Sequence, residues 1–177
     1  SWLPDGVGGL TWYGPDRPAT AVLMPFYAGV TNLPEAIQRC NLMKFDRQSM
    51  WTAFNFVANY AMLKYKYMIQ DIQKERNRFE AAAFGTQAER EAKAAGLWTQ
   101  GKVEEAREFL TEYCSGNAQA VLEDWWKLAE TLYCKYNDGY LNTRDGLAQQ
   151  VFYPAWWLEQ VGYVHGPTSY EKPAATP

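Results

Sequence analysis

From Ser49 to Phe84 apolar residues return every three or four positions, at Trp51, Phe54, Val57, Ala58, Ala61, Met62, Tyr65, Met68, Ile69 and Ile72. That period lines one face of an α-helix, so the stretch predicts one long helix. Its second half, QDIQKERNRFEAAAFG, turns polar, and Gly85 is expected to cap its end in a left-handed conformation. The following TQAEREAKAAG is charged and alanine-rich, which predicts a solvated helix or connector broken at Gly96. Two more amphipathic helices are predicted next. In GKVEEAREFLTEYCSG one stripe holds Val103, Ala106, Phe109, Leu110 and Tyr113; in NAQAVLEDWWKLAETLYCKYNDG it holds Val121, Leu122, Trp125, Leu128, Ala129, Leu132 and Tyr133. Asn117 is placed to cap the start of the second and Asn137-Asp138-Gly139 to stop it. VFYPAWWLEQVGY predicts a short aromatic helix before a proline-rich end.

Ahead of the helices the period changes. Residues 8–13 (GGLTWY) and 20–27 (TAVLMPFY) are β-branched or aromatic and bounded by Gly and Pro, which predicts two strands. The GPDRPA link between them has turn chemistry, so they read as a hairpin. Pro25 has no N–H for a ladder, which puts the second strand at an edge or ends it in a bulge before Phe26. Pro34 and Glu35 suit the start of a short helix. The fold class is therefore α+β, mainly α: residues 1–46 form a β-hairpin with a loop and short helix, 47–165 a helical region and 166–177 a Pro-rich tail. A lone two-stranded hairpin is marginal in water, so these strands are expected to complete a larger sheet. The helical segments share no fixed period, which argues against a solenoid.

Composition alters the picture at two points. The net charge is −3 and the 17 basic residues form no block, so the chain offers no surface for nucleic acid or an anionic membrane. Aromatic residues make up 16% of the chain, enough for large packed interfaces or a ligand-lining wall. Cys40, Cys114 and Cys134 have no metal-ligand spacing, and Cys114 and Cys134 read either as a single bridge between neighbouring helices or as free thiols. His165 is the only histidine, which excludes histidine triads and multi-histidine metal sites. No cofactor or metal is expected. No apolar run of about 18 residues is present, so no membrane-spanning helix is predicted.

Several linked blocks carry a resemblance: Leu3-Pro4 with Gly8, Gly9 and Trp12, then the run Pro25 to Gly29, then Trp51 to Asn59, and YPAWWLEQVGY near the end. Over most of residues 2–163 the chain resembles the C-terminal part of the bacterial cysteine dipeptidases of the N-terminal-nucleophile hydrolase superfamily. The resemblance implies an αββα sandwich completed by the hairpin, and hydrolysis of dipeptides or short peptides through an acyl-enzyme. It also implies a nucleophilic cysteine at the front of the mature chain, with its own amine as base. The segment matching Ser1 lies far inside the family pattern, so Ser1 reads as a cut point. No catalytic residue is then expected in this chain, and none of its cysteines matches the nucleophile position. The implied partners are an N-terminal companion segment carrying that cysteine and a short-peptide substrate, in an oligomer. Trp12 and Tyr27, near the strand ends, and Asn32 beyond them are the candidate substrate-binding residues.

Two other classes fit parts of the sequence. A non-catalytic helical interaction module would use the aromatic surface to bind a partner protein. A carbohydrate-binding module would use Trp and Tyr planes, but its usual frame is mostly β. Glu104-Glu105 and Glu123-Asp124 read as solvated helix faces, not as the carboxylate pair of a glycosidase. The hydrolase reading makes Ser1 dispensable: Ser1→Ala in the assembled enzyme is expected to leave peptide hydrolysis within about twofold in a kinetic assay, against a thousandfold loss for a nucleophile.

Overall fold

The computed structural model describes residues 3–143 and 145–163. Ser1, His165 and the 166–177 tail lie outside the described residues. The chain is mainly helical with two small antiparallel sheets. It divides into two compact units, one up to Leu132 and one from Tyr133 onward.

In the first unit a one-turn helix α1 (Asp5–Gly8) precedes strands β1 (Leu10–Tyr13) and β2 (Met24–Tyr27). The strands are antiparallel, with Leu10 opposite Tyr27 and Trp12 opposite Pro25. Both are shorter than the sequence predicts. Gly8 ends α1, and Thr20 closes a 3₁₀ turn over Pro18–Thr20. Pro25 is accommodated because each strand of a two-stranded ribbon has an outer edge that asks for no donor. The chain leaves β2 through Gly29, where a Cβ would overlap the Gly6 carbonyl oxygen. Only glycine lets α1 approach this closely.

A short helix α2 (Glu35–Gln38) starts behind Pro34. The next helix, α3 (Met50–Ala61), is capped by Ser49, whose Oγ accepts from the Thr52 N–H at 3.2 Å and donates to the Arg39 carbonyl at 2.6 Å. The long helix predicted from Ser49 to Phe84 is broken. Residues 62–64 turn through tightened bonds, such as Lys64 N–H to the Ala61 carbonyl at 3.1 Å, and α4 (Tyr65–Thr99) begins anew. Met62 and Tyr65, expected on the apolar face, are exposed.

Helix α4 runs straight through Gly85 and Gly96, and neither ends it. The stop comes at Gly101, with φ +77. There the Lys102 N–H reaches the Leu97 carbonyl at 3.0 Å and the Gly101 N–H reaches Trp98 at 3.0 Å, the paired bonds of a Schellman turn. Helix α5 (Val103–Tyr136) follows as one piece. The helix start expected at Asn117 is absent because Gly116 and Asn117 are helix interior. Cys114 is buried, Cys134 is exposed, and both are free thiols. That removes the bridge from the two readings of these residues.

Helices α4 and α5 form an antiparallel hairpin. The Arg78 guanidinium meets Asp124 at 2.6 Å, Arg90 lies 3.9 Å over the Tyr113 ring, and Lys93 lies 4.1 Å over Phe109. Partners thus climb one helix as they descend the other. Helix α3 packs on α5 through Phe54 and Trp125, both fully buried and stacked at 4.4 Å. The β-hairpin lies on the other end of the pair, over a core of Val7, Tyr27, Ala94, Leu110 and Cys114.

The second unit holds the last turn of α5, a second antiparallel pair β3 (Tyr140–Asn142) and β4 (Ala148–Gln150), and α6 (Ala155–Gln160), the aromatic helix predicted at this place. The second hairpin was not predicted. Among the described residues no helix is long and apolar enough to cross a membrane.

Gly85, Gly96 and Gly101 make opposite demands. A Cβ at Gly85 meets no atom within 4 Å, and alanine costs less than glycine in a helix interior by about 1 kcal/mol. Gly85→Ala is expected to raise the urea midpoint, and Gly101→Ala, placed at φ +77, to lower stability by about 1 kcal/mol.

Candidate functional site

The three predicted site residues sit in three environments. Leu10, Trp12, Pro25 and Tyr27 share one face of the ribbon by register and pleat. Trp12 is half-buried, its ring 4.3 Å from Phe84 of α4. Tyr27 is buried at 2% exposure, and its hydroxyl donates to Glu91 Oε1 at 3.2 Å. Asn32 is exposed, in the loop after β2. The structure brings Trp12 and Tyr27 onto the same helix but leaves Asn32 on the surface.

Tyr27 is the centre of this arrangement because three elements meet on it. From α4, Glu91 accepts the Tyr27 hydroxyl and also the Gln87 Nε2 donor at 2.8 Å. From α5, the Tyr113 ring lies 6.5 Å away and the Cys114 thiol is buried beside it. Burial, then the Glu91 carboxylate, pushes the Tyr27 phenol well above the usual tyrosine range. Burial also pushes the Cys114 thiol up. A protonated, enclosed sulfur is a poor nucleophile, so Cys114 acts here as a small apolar filler.

The loop after β2 is tied to α5. The Thr31 N–H donates to Thr111 Oγ1 at 2.9 Å, and Arg107 Nε donates to the Gly29 carbonyl at 3.3 Å. This fixes the chain just ahead of Asn32.

At the other end of the ribbon a polar constellation forms that the sequence reading did not single out. Asp16 takes a left-handed conformation (φ 63) in the hairpin turn. Its Oδ1 accepts from Asn55 Nδ2 at 3.3 Å, and its Oδ2 is buried without a hydrogen-bond partner among the described residues. Arg17 donates to Asn59 Oδ1 at 3.3 Å, and Asn59 in turn donates to Asn55. The signal available for it was Asn55 and Asn59, one helical turn apart on α3.

Neither outer edge of the β1–β2 ribbon is joined by a third strand among the described residues. Thr11 and Tyr13 are exposed on β1. No group of acidic, cysteine or histidine side chains that could hold a metal ion occurs among the described residues. Comparison of the chain with models of known protein families, with curated proteins and with solved structures gives no match.

The Tyr27 phenol makes the first unit sensitive to alkali. Its folded pKa is raised above the ordinary 10.0, so the unfolded chain loses this proton first as pH rises. The stabilisation is full below about pH 10 and is lost above it. Resistance to urea is expected to fall above that pH, and Tyr27→Phe to remove this part of the loss while costing about 1 kcal/mol at neutral pH.

Proposed function

We propose that this chain is the C-terminal part of a cysteine dipeptidase of the N-terminal-nucleophile type. In this reading it supplies two strands and a helical buttress to a companion segment that carries the nucleophile. The observation that carries the reading is the β1–β2 ribbon. Its two four-residue strands are held against α4 and α5, yet among the described residues no third strand covers either edge. Open edges are templates for further strands, and a helix-backed pair of strands is half of a layered sheet. The sandwich implied by the linked sequence blocks would extend from these edges.

The chemistry of the described residues fits a supporting role. The Cys114 sulfur is buried and protonated, and Cys40 and Cys134 are exposed free thiols. None of the three matches the nucleophile position of the family pattern, so in this reading the attacking thiolate belongs to the companion, where an N-terminal amine would serve as its base. Asn32, exposed behind a loop pinned to α5, would meet the peptide. Trp12 and Tyr27 would hold the strands under it.

A second reading rests on a different observation. Phe45, 60% exposed, packs with Phe56 and Trp126 at ring centroids 5.5 to 5.8 Å apart, and Leu42 and Met43, just ahead of it in the chain, are 76% and 95% exposed. An exposed apolar patch of this kind suits a non-catalytic module that binds another protein.

One experiment separates the two readings: the particle containing this chain is purified from its own cells, and its components are identified by intact mass and N-terminal sequencing. The expected result is a companion with an N-terminal cysteine and a dipeptidase activity abolished by iodoacetamide, while the isolated chain hydrolyses nothing. A particle without that companion, or with hydrolysis that survives alkylation, overturns the reading.

A further inference from the structure

The second unit carries a cleft that plays no part in the reading above. Helix α5 ends in two consecutive left-handed residues, Asp138 (φ 51) and Gly139 (φ 78), which turn the chain into β3. Between this turn and α6 lies a cleft of about 810 Å³, within the usual range of small-molecule sites, about 300–1,000 Å³. Its walls are aromatic and aliphatic: Phe152, Tyr153, Trp157, Leu158 and Tyr163. The Tyr153 and Trp157 rings stack at 4.9 Å with planes 24° apart, so each covers one face of the other and the stack offers an outer aromatic face. Asp138 is the one acidic residue on the lining and stands exposed at it. None of the ion pairs found among the described residues uses it. Its charge reaches the wall: burial first and the Asp138 carboxylate second raise the Tyr153 phenol above its ordinary pKa.

These groups select a ligand by charge as well as by shape. The faces of Trp and Tyr rings are electron-rich and attract a cation, and a carboxylate at the edge of a low-dielectric wall does the same more strongly than in open water. A neutral ligand would gain only the apolar contact, and an anion would be repelled. We propose that this cleft is a binding site for a small organic cation, an amine whose ammonium group sits at Asp138 and whose apolar body lies against the outer face of the Tyr153–Trp157 stack. The site belongs to the second unit and stands or falls independently of the hydrolase reading.

The test titrates the full chain with phenethylammonium, using 2-phenylethanol and phenylacetate as neutral and anionic controls of similar shape, by calorimetry. Phenethylammonium is expected to bind at least about tenfold more tightly than the alcohol, and phenylacetate more weakly than either. Asp138→Asn keeps a side chain that tolerates the left-handed backbone and is expected to reduce the cation to the affinity of the alcohol. Trp157→Phe is expected to weaken the cation by a few fold more than the alcohol, since tryptophan is the stronger cation acceptor. Circular dichroism verifies that each variant keeps its helix content. Equal binding of cation and alcohol, no saturable binding of the cation, or a folded Asp138→Asn variant that binds the cation as the parent does, each overturns the proposal.

Discussion

The first unit depends on the antiparallel pairing of α4 and α5. Helices of 35 and 34 residues would extend roughly 50 Å, and helices in proteins draw most of their stability from packing and little from propensity. The Schellman turn at Gly101 makes the pairing local: three residues separate the two helices, and each finds its partner next to it in sequence. Everything else in the unit is fastened to that pair. Helix α3 is held at one end by the Phe54–Trp125 stack, and the β-hairpin at the other by Phe84, Glu91 and the α5 residues around Cys114.

The hairpin meets α4 along a seam that alternates steps of four and three residues: Glu80, Phe84, Gln87, Glu91, Ala94 and Trp98. The Leu23 N–H donates to Glu80 Oε1 at 3.0 Å, Trp12 rests on Phe84, and Tyr27 donates to Glu91. Half of this seam is polar. A carboxylate under a sheet is costly unless each exposed lone pair finds a donor, and here a backbone N–H, a phenol and a neighbouring amide supply them. Such bonds are directional where apolar contact is not, so they fix the hairpin at one position along the helix. A slide of one turn would take the Leu23 N–H from Glu80 and the Tyr27 hydroxyl from Glu91.

Local chemistry explains which features were legible in the sequence. The hairpin and the stop at Asn137 to Gly139 are written within a few residues of where they act. The polar seam is not, because Glu91 lies 64 residues from Tyr27 and its segment has the composition of a solvated helix. The break at 62–64 was hidden for a different reason: Ala61, Met68 and Ile72 are all buried, so the three-and-four spacing continues across it. Gly85, Gly96, Gly116 and Asn117 misled in the opposite sense. Each costs about 1 kcal/mol or less in a helix interior, and the contacts along two long paired helices outweigh that. The strands β3 and β4 have three residues each, too few for alternation to register. For the candidate site, Trp12 and Tyr27 were visible as aromatic positions on a hairpin. That one would rest on Phe84 and the other would bond to Glu91 depended on contacts made far along the chain.

The distribution of aromatic rings links this architecture to function. A long helix pair has too much surface for its volume to gather one central core, and the rings fall into separate groups along it. Phe54 with Trp125 and Tyr27 with Tyr113 are enclosed and serve packing. Phe45 and Phe56 reach the buried Trp126 from the surface; Trp126 donates from Nε1 to the Arg47 carbonyl at 2.7 Å, and the Arg47 guanidinium lies 4.6 Å over its ring. That group is rigid on its inner side and bare on its outer side. The ribbon has the same character, with Trp12 pressed on Phe84 and Tyr13 exposed on the opposite face. A monomer that stabilises itself fully has little reason to keep well-anchored rings facing water, since they add no burial and invite association. Rings held in place from within and open outward are the feature on which both proposed readings rest, the companion segment at the ribbon and the partner protein at Phe45 and Phe56.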